Sequence, residues 1–93
     1  MDATNVPIER ELDLHSFAPR DVASVVEEYV NAAVLAGIRE VRIVHGRGRG
    51  VQRGIVQAAL ERHPLVEEFG DDPHAHLGAT VAVLRVGSRK SEV

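Results

Sequence analysis

Apolar residues along the chain follow two rhythms that alternate with each other. Glu11-Leu12-Asp13-Leu14-His15 switches polar and apolar at every step, the signature of a short half-buried strand. Val22, Val25, Val26, Tyr29, Val30 and Ala33 then recur at helical spacing and predict a helix with one apolar face. Pro19 suits its first turn, and Gly37 is placed to cap its end. Valine is a weak helix former, so periodicity rather than propensity carries this assignment. Val41 to Val44 reads as a second strand, mostly apolar as a buried parallel strand would be. Val51, Ile55, Val56, Ala59 and Leu60 supply the packing face of a second helix, which runs from Val51 to Arg62 and stops before Pro64. Val66 to Phe69 forms a third strand, Asp71-Asp72-Pro73 breaks the pattern, and the β-branched run Thr80 to Val86 forms a fourth.

The order β-α-β-α-β-β implies a two-layer α/β sandwich: a mixed four-stranded sheet with two main helices. The first three strands are expected to be parallel and the last antiparallel to its neighbour. At 93 residues the chain supports one core. Residues 1–8 read as an N-terminal arm, 9–86 as the folded domain and 87–93 as a tail. There is no cysteine, which removes disulfides and thiolate metal sites. No apolar run approaches the roughly 20 residues of a membrane span, and there is no signal-like apolar segment at the start. The expectation is a soluble, cytoplasmic protein.

Charge changes the picture through its placement. A net charge of −3 argues against a general nucleic-acid coat protein. From Arg39 to Arg53, however, five arginines stand against the single acid Glu40, a local net of +4 that leaves −7 for the rest of the chain. The centre of this stretch is His45-Gly46-Arg47-Gly48-Arg49-Gly50, between the second strand and the second helix. Glycines permit positive φ and close backbone approach, and a helix N-terminus offers unpaired N–H groups and the positive end of a dipole. Gly46, Arg47, Gly48, Arg49, Gly50 and Arg53 are therefore candidate phosphate ligands.

Ligands of open α/β sheets gather beyond the carboxyl ends of parallel strands. That topology puts His15 and His45, each ending a strand, on one edge with the glycine loop. Asp13, two residues before His15 on a strand, shares its face and would orient it. A carboxylate on a buried strand needs such a partner; capping of a neighbouring helix is the other role open to Asp13. His63, before Pro64, fits a cation complementing a helix end. His74 and His76 lack an identifiable third ligand, so no metal site is assigned. The three aromatic residues, Phe17, Tyr29 and Phe69, are too few for a base-stacking platform, and two of them suit the core.

These residues resemble the Smr family, the small MutS-related domain found at the C-terminus of MutS2 proteins and as stand-alone proteins. The resemblance rests on Leu12-Asp13-Leu14-His15, on His45 to Arg53, and on Gly78-Ala79-Thr80-Val81, and covers roughly Glu9 to Val86. It implies a nicking or RNA-cleaving endonuclease acting on backbone phosphodiesters. The alternative is a non-catalytic nucleic-acid or ribosome binding module. Either would be linked to repair, recombination or ribosome rescue. It implies that Asp13, His15 and His45 form the catalytic set and that the glycines and arginines of the loop hold the backbone of DNA or RNA. One histidine would act as base and the other as acid. Asp13 would set the tautomer of His15 or help hold a divalent cation such as magnesium. Ser16, Gln52 and the pair Ala75-His76 depart from the glycine, leucine and glycine pair usual in the family.

Overall fold

The computed structural model describes residues 8–46 and 50–86. The arm (1–7), the tail (87–93) and residues 47–49 lie outside the described residues. The elements are β1 (Glu11–Asp13), α1 (Pro19–Leu35), β2 (Glu40–Val44), α2 (Val51–Arg62), β3 (Val66–Asp71) and β4 (Ala79–Leu84).

The sheet order is β1-β2-β4-β3. β1 pairs parallel with β2, and β4 pairs antiparallel with both β2 and β3. The first three strands therefore run in one direction, as expected, but the reversed β4 is inserted between β2 and β3. Both crossovers, β1 to β2 and β2 to β3, step the same way across the sheet. The right-handed rule then sends both helices to one face, where α1 and α2 pack on each other.

Alternation along the strands identifies the covered face. Val41 and Ile43 of β2 and Ala82 and Leu84 of β4 are buried, while Glu40, Arg42, Val81 and Val83 point to the open side. The apolar stripe of α1 closes the core through Val22, Val26, Val30 and Ala33, and α2 adds Val56, Ala59 and Leu60. Burying each valine, leucine or isoleucine of this set contributes about 1.5–3 kcal/mol. That burial is what holds a valine-rich helix together.

The helix ends explain the element limits. At the end of α1, Gly37 takes φ +80°, its N–H bonds the Val34 carbonyl, and the Ile38 N–H reaches back to the Ala33 carbonyl at 2.9 Å. This is a Schellman motif, and Ile38, 7 % exposed, supplies its apolar contact. α2 ends at His63, whose extended backbone is the conformation required before Pro64.

Strand boundaries differ from the sequence expectation. β1 stops at Asp13, because Leu14 to Phe17 closes into a turn in which the Phe17 N–H bonds the Leu14 carbonyl. β3 continues through Gly70 to Asp71, and β4 begins at Ala79 and ends at Leu84. An irregularity between Val66 and Glu68 interrupts β3, an edge strand bearing Glu67 and Glu68. Both features discourage pairing with a further strand. No helix among the described residues is long and apolar enough to cross a membrane.

Candidate functional site

The carboxyl ends of β1 and β2 meet the start of β4 at one edge of the sheet. The Leu14 N–H bonds the Val44 carbonyl, and the N–H groups of His45 and Gly46 both bond the Gly78 carbonyl, at 3.0 and 2.9 Å. Three loops converge there: 14–18, the one opened by His45 and Gly46, and 72–78.

On the first loop, Asp13 and His15 do meet, but not through strand alternation. Asp13 Oδ1 accepts the His15 backbone N–H at 3.0 Å and lies 3.1 Å from His15 Nδ1. The carboxylate thus shapes the turn that carries the histidine. The two hydrogen bonds from His15, the backbone one first, hold the Asp13 carboxyl below its usual value of 3.8. The expectation of a buried carboxylate is corrected. β1 is an edge strand with one face open, and the His15 and Asp13 side chains are 79 % and 54 % exposed. With Nδ1–H donated to Asp13, His15 Nε2 faces solvent with a free lone pair.

His45 has the opposite fate. It continues the Val41, Ile43 alternation onto the covered face and is 8 % exposed. Nδ1–H donates to the Gly46 carbonyl at 3.0 Å, which leaves Nε2 of the neutral ring to accept from the Thr80 hydroxyl at 2.9 Å. Thr80, fully buried, accepts in turn from Gln57 Nε2 at 3.0 Å. Gln57 also donates to Asp71 Oδ1, and Asp71 takes both Nε and a terminal nitrogen of Arg53 at 2.7 Å. A continuous chain Gly46–His45–Thr80–Gln57–Asp71–Arg53 therefore ties β2, β4, β3 and α2 together. The Arg53 hydrogen bonds lower the Asp71 carboxyl below its usual value.

This chain recasts the basic stretch. Arg53 is a bidentate partner of Asp71, Arg39 pairs with Glu67, and Arg42 bridges Asp72 at 2.6 Å and Glu11 at 2.9 Å. Much of the +4 read from the sequence is thus balanced by acids brought in by the fold. Arg47, Gly48 and Arg49 lie outside the described residues. Gly46 and Gly50 take φ +81° and +80°, and Gly50 is the N-cap of α2 with no side chain capping the helix. Among the described residues no side chain caps its first-turn N–H groups, as an anion-binding terminus requires.

His63 is corrected too. It is 9 % exposed, its Nδ1 accepts the Leu65 N–H at 3.1 Å, and its Nε2 donates to Asn31 Oδ1 at 3.1 Å. That pattern belongs to a neutral imidazole serving as a structural bracket, not to a cation at a helix end. His74 and His76 sit exposed in the 72–78 loop, where Asp72 accepts the His74 N–H at 2.9 Å. Among the described residues, no group of three histidine, aspartate or glutamate side chains could hold a metal ion.

Thr80, Gln57 and Asp71 escaped the sequence reading. The parity of Val41, Ile43 and His45 was a visible signal that His45 points inward. Thr80, Gln57 and Asp71 come from three other elements, β4, α2 and β3, and no local pattern joins them to His45.

A family model described as the Smr domain matches residues 12–86. The chain belongs to the Smr domain family. The chain is 34% identical over 80 residues to a protein named Endonuclease MutS2 from Caldicellulosiruptor saccharolyticus, covering 84% of this chain and 10% of that protein. It is 35% identical over 89 residues to the namesake from Thermomicrobium roseum, covering 92% of this chain and 11% of the relative. The chain thus spans about a tenth of these curated relatives. Among solved structures, the Smr domain of Thermus thermophilus MutS2 superposes with a TM-score of 0.78 at 32% identity, covering 83% of this chain and 99% of that one. YdaL, a stand-alone small MutS-related protein from Escherichia coli, superposes at 0.75 with 26% identity, covering 85% of this chain and 66% of that one. The mixed four-stranded sheet with two helices is the Smr fold, and both a domain of a larger protein and a stand-alone protein carry it.

Proposed function

We propose that this Smr domain binds the sugar–phosphate backbone of DNA or RNA and cleaves phosphodiester bonds with His15 as the proton acceptor. The observation that carries the reading is the exposed Asp13–His15 pair, set on the edge where the glycine loop leads into the uncapped N-terminus of α2. His15 Nε2 takes a proton from the attacking water or RNA 2′-hydroxyl. The attacking oxygen bonds to phosphorus, the bond to the leaving oxygen breaks, and that oxygen is protonated from solvent. Asp13 holds the ring by Nδ1 and stabilises the imidazolium. The N–H groups of Gly50 and of the first turn of α2 donate to the phosphoryl oxygens, joined by Arg47, Gly48 and Arg49 on the sequence argument; Gly46, whose N–H is already given to the Gly78 carbonyl, shapes the loop rather than binding the phosphate. His45 holds the Gly46 carbonyl, and Arg53, through Asp71 and Gln57, steadies the helix start.

The curated relatives bear the name endonuclease, which supports cutting as well as gripping. The second reading is a nucleic-acid or ribosome binding module without turnover. It is favoured by the burial of His45, since the two-histidine scheme then lacks its second exposed partner.

End-labelled single- and double-stranded RNA and DNA, incubated with the protein in magnesium or in chelator, distinguish the two. Cleavage by the parent protein that disappears in His15→Ala and Asp13→Ala supports the enzyme. Cleavage retained by both variants removes the proposed site. Binding with no cleavage of any substrate supports the module.

A further inference from the structure

Five large apolar side chains are exposed among the described residues: Ile8, Phe17, Leu35, Val51 and Leu77. Ile8, before β1, and Leu35, ending α1, lie at the far edge of the sheet. Phe17, Val51 and Leu77 all lie at the site edge, one on each converging segment. Phe17 follows His15 by two residues in the turn that Asp13 shapes. Val51 follows Gly50 as the first residue of α2 and is 58 % exposed, although helical spacing places it with the packing face. Leu77 immediately precedes Gly78, whose carbonyl receives the N–H groups of His45 and Gly46.

Leu77 is held there at a cost. His76 and Leu77 have φ of 51° and 69°, consecutive left-handed conformations that side chains other than glycine rarely adopt. Hydrogen bonds on both sides impose them: Ala75 N–H to the Asp72 carbonyl, Gly78 N–H to the Ala75 carbonyl and Asp72 N–H to the Ala79 carbonyl. The result is a leucine 53 % exposed to water. Strain maintained to present an apolar group beside a polar site points to a ligand that covers it.

We infer that Phe17, Leu77 and Val51 form an apolar collar that receives the base of a nucleotide unstacked beside the bound phosphate, so that the domain prefers single-stranded or frayed nucleic acid over intact duplex. This rests on the backbone-binding reading above. The occupant is a nucleobase because each of the three side chains stands next to a residue of the site edge, Phe17 by His15, Leu77 by Gly78 and Val51 by the Gly50 cap, and every base presents a π-face to an aromatic or apolar wall. In intact duplex the faces are stacked and out of reach.

The test is the affinity of the intact protein for a fluorescein-labelled single-stranded oligonucleotide of about a dozen nucleotides, RNA and DNA, and for the matching duplexes. Anisotropy is measured across a salt series with Phe17→Ala, Leu77→Gly and the far-edge control Leu35→Ala. The parent is expected to prefer single strands. Phe17→Ala should lose roughly tenfold in single-strand affinity, with an unchanged salt slope because no phosphate contact is removed. Leu77→Gly should bind more weakly while its melting temperature holds or rises, since glycine relieves the left-handed backbone. Leu35→Ala should change nothing. Equal affinity of parent and both collar variants, or a Leu77→Gly protein that loses stability together with binding, overturns the collar and leaves backbone binding standing. A parent protein that binds none of the probes overturns both.

Discussion

His15 and His45 occupy matching places, each at the carboxyl end of one of two paired parallel strands, yet one is exposed to solvent and the other is an internal brace. The difference comes from what lies beside each strand. β1 is three residues long and at the sheet edge, so the chain turns away after Asp13 and carries His15 into solvent. β2 is central, flanked by β4, and keeps its alternation far enough to fold His45 under Gln57 against Thr80. Matching positions in a motif do not imply matching roles. A histidine's role follows from how many of its ring nitrogens the fold has already used.

Changes at the two histidines should therefore fail in different ways. The largest effect is expected for His45→Ala, which empties a buried site and leaves the Thr80 hydroxyl without its acceptor. Urea denaturation should show a loss of about 3 kcal/mol. A variant as stable as the parent would mean that His45 is not a brace. His15→Ala should leave the urea midpoint unchanged while lowering any nuclease rate about a hundredfold or more; an equal fall in stability would erase the distinction between the two residues. Thr80→Val keeps the shape of the buried side chain but removes the hydroxyl that joins His45 to Gln57. A loss of about 1–2 kcal/mol is expected by the same measurement, and full stability would show that the chain is not a unit.

The smallest effect concerns acid. Asp13, Asp71 and Asp72 are held below their unfolded value of 3.8, by bonds from His15, Arg53 and Arg42 respectively. Their stabilisation is complete above that value and disappears as pH falls through the lower folded values. Melting temperature should thus decline below about pH 4, and Asp72→Asn should flatten that decline. A decline as steep in the variant as in the parent would count against the Arg42–Asp72 pair as its source.

The second helix was legible to both ends, because a glycine at one end and Pro64 at the other leave no freedom in its limits. The strand directions were legible too. The place of β4 was not, since inserting it between β2 and β3 depends on pairing across long sequence separations, which no local pattern encodes. Of the site, the meeting of Asp13 with His15 was legible by proximity alone. The inward turn of His45 was written in the parity of Val41 and Ile43 and passed unread, because the glycine loop after it suggested a surface residue.

Sequence by itself determined what short-range physics controls: the element order, the caps, the Asp13–His15 pair and the glycines at φ +81° and +80° that open and close the second loop. Only the tertiary structure decided which charges remain free and which histidine stays exposed. Arg39, Arg42 and Arg53 are partnered by Glu67, by Glu11 with Asp72, and by Asp71, acids 18 to 31 residues distant in the chain. Burial and ion pairing are properties of neighbours in space, and those neighbours exist only once β4 has taken its place in the sheet.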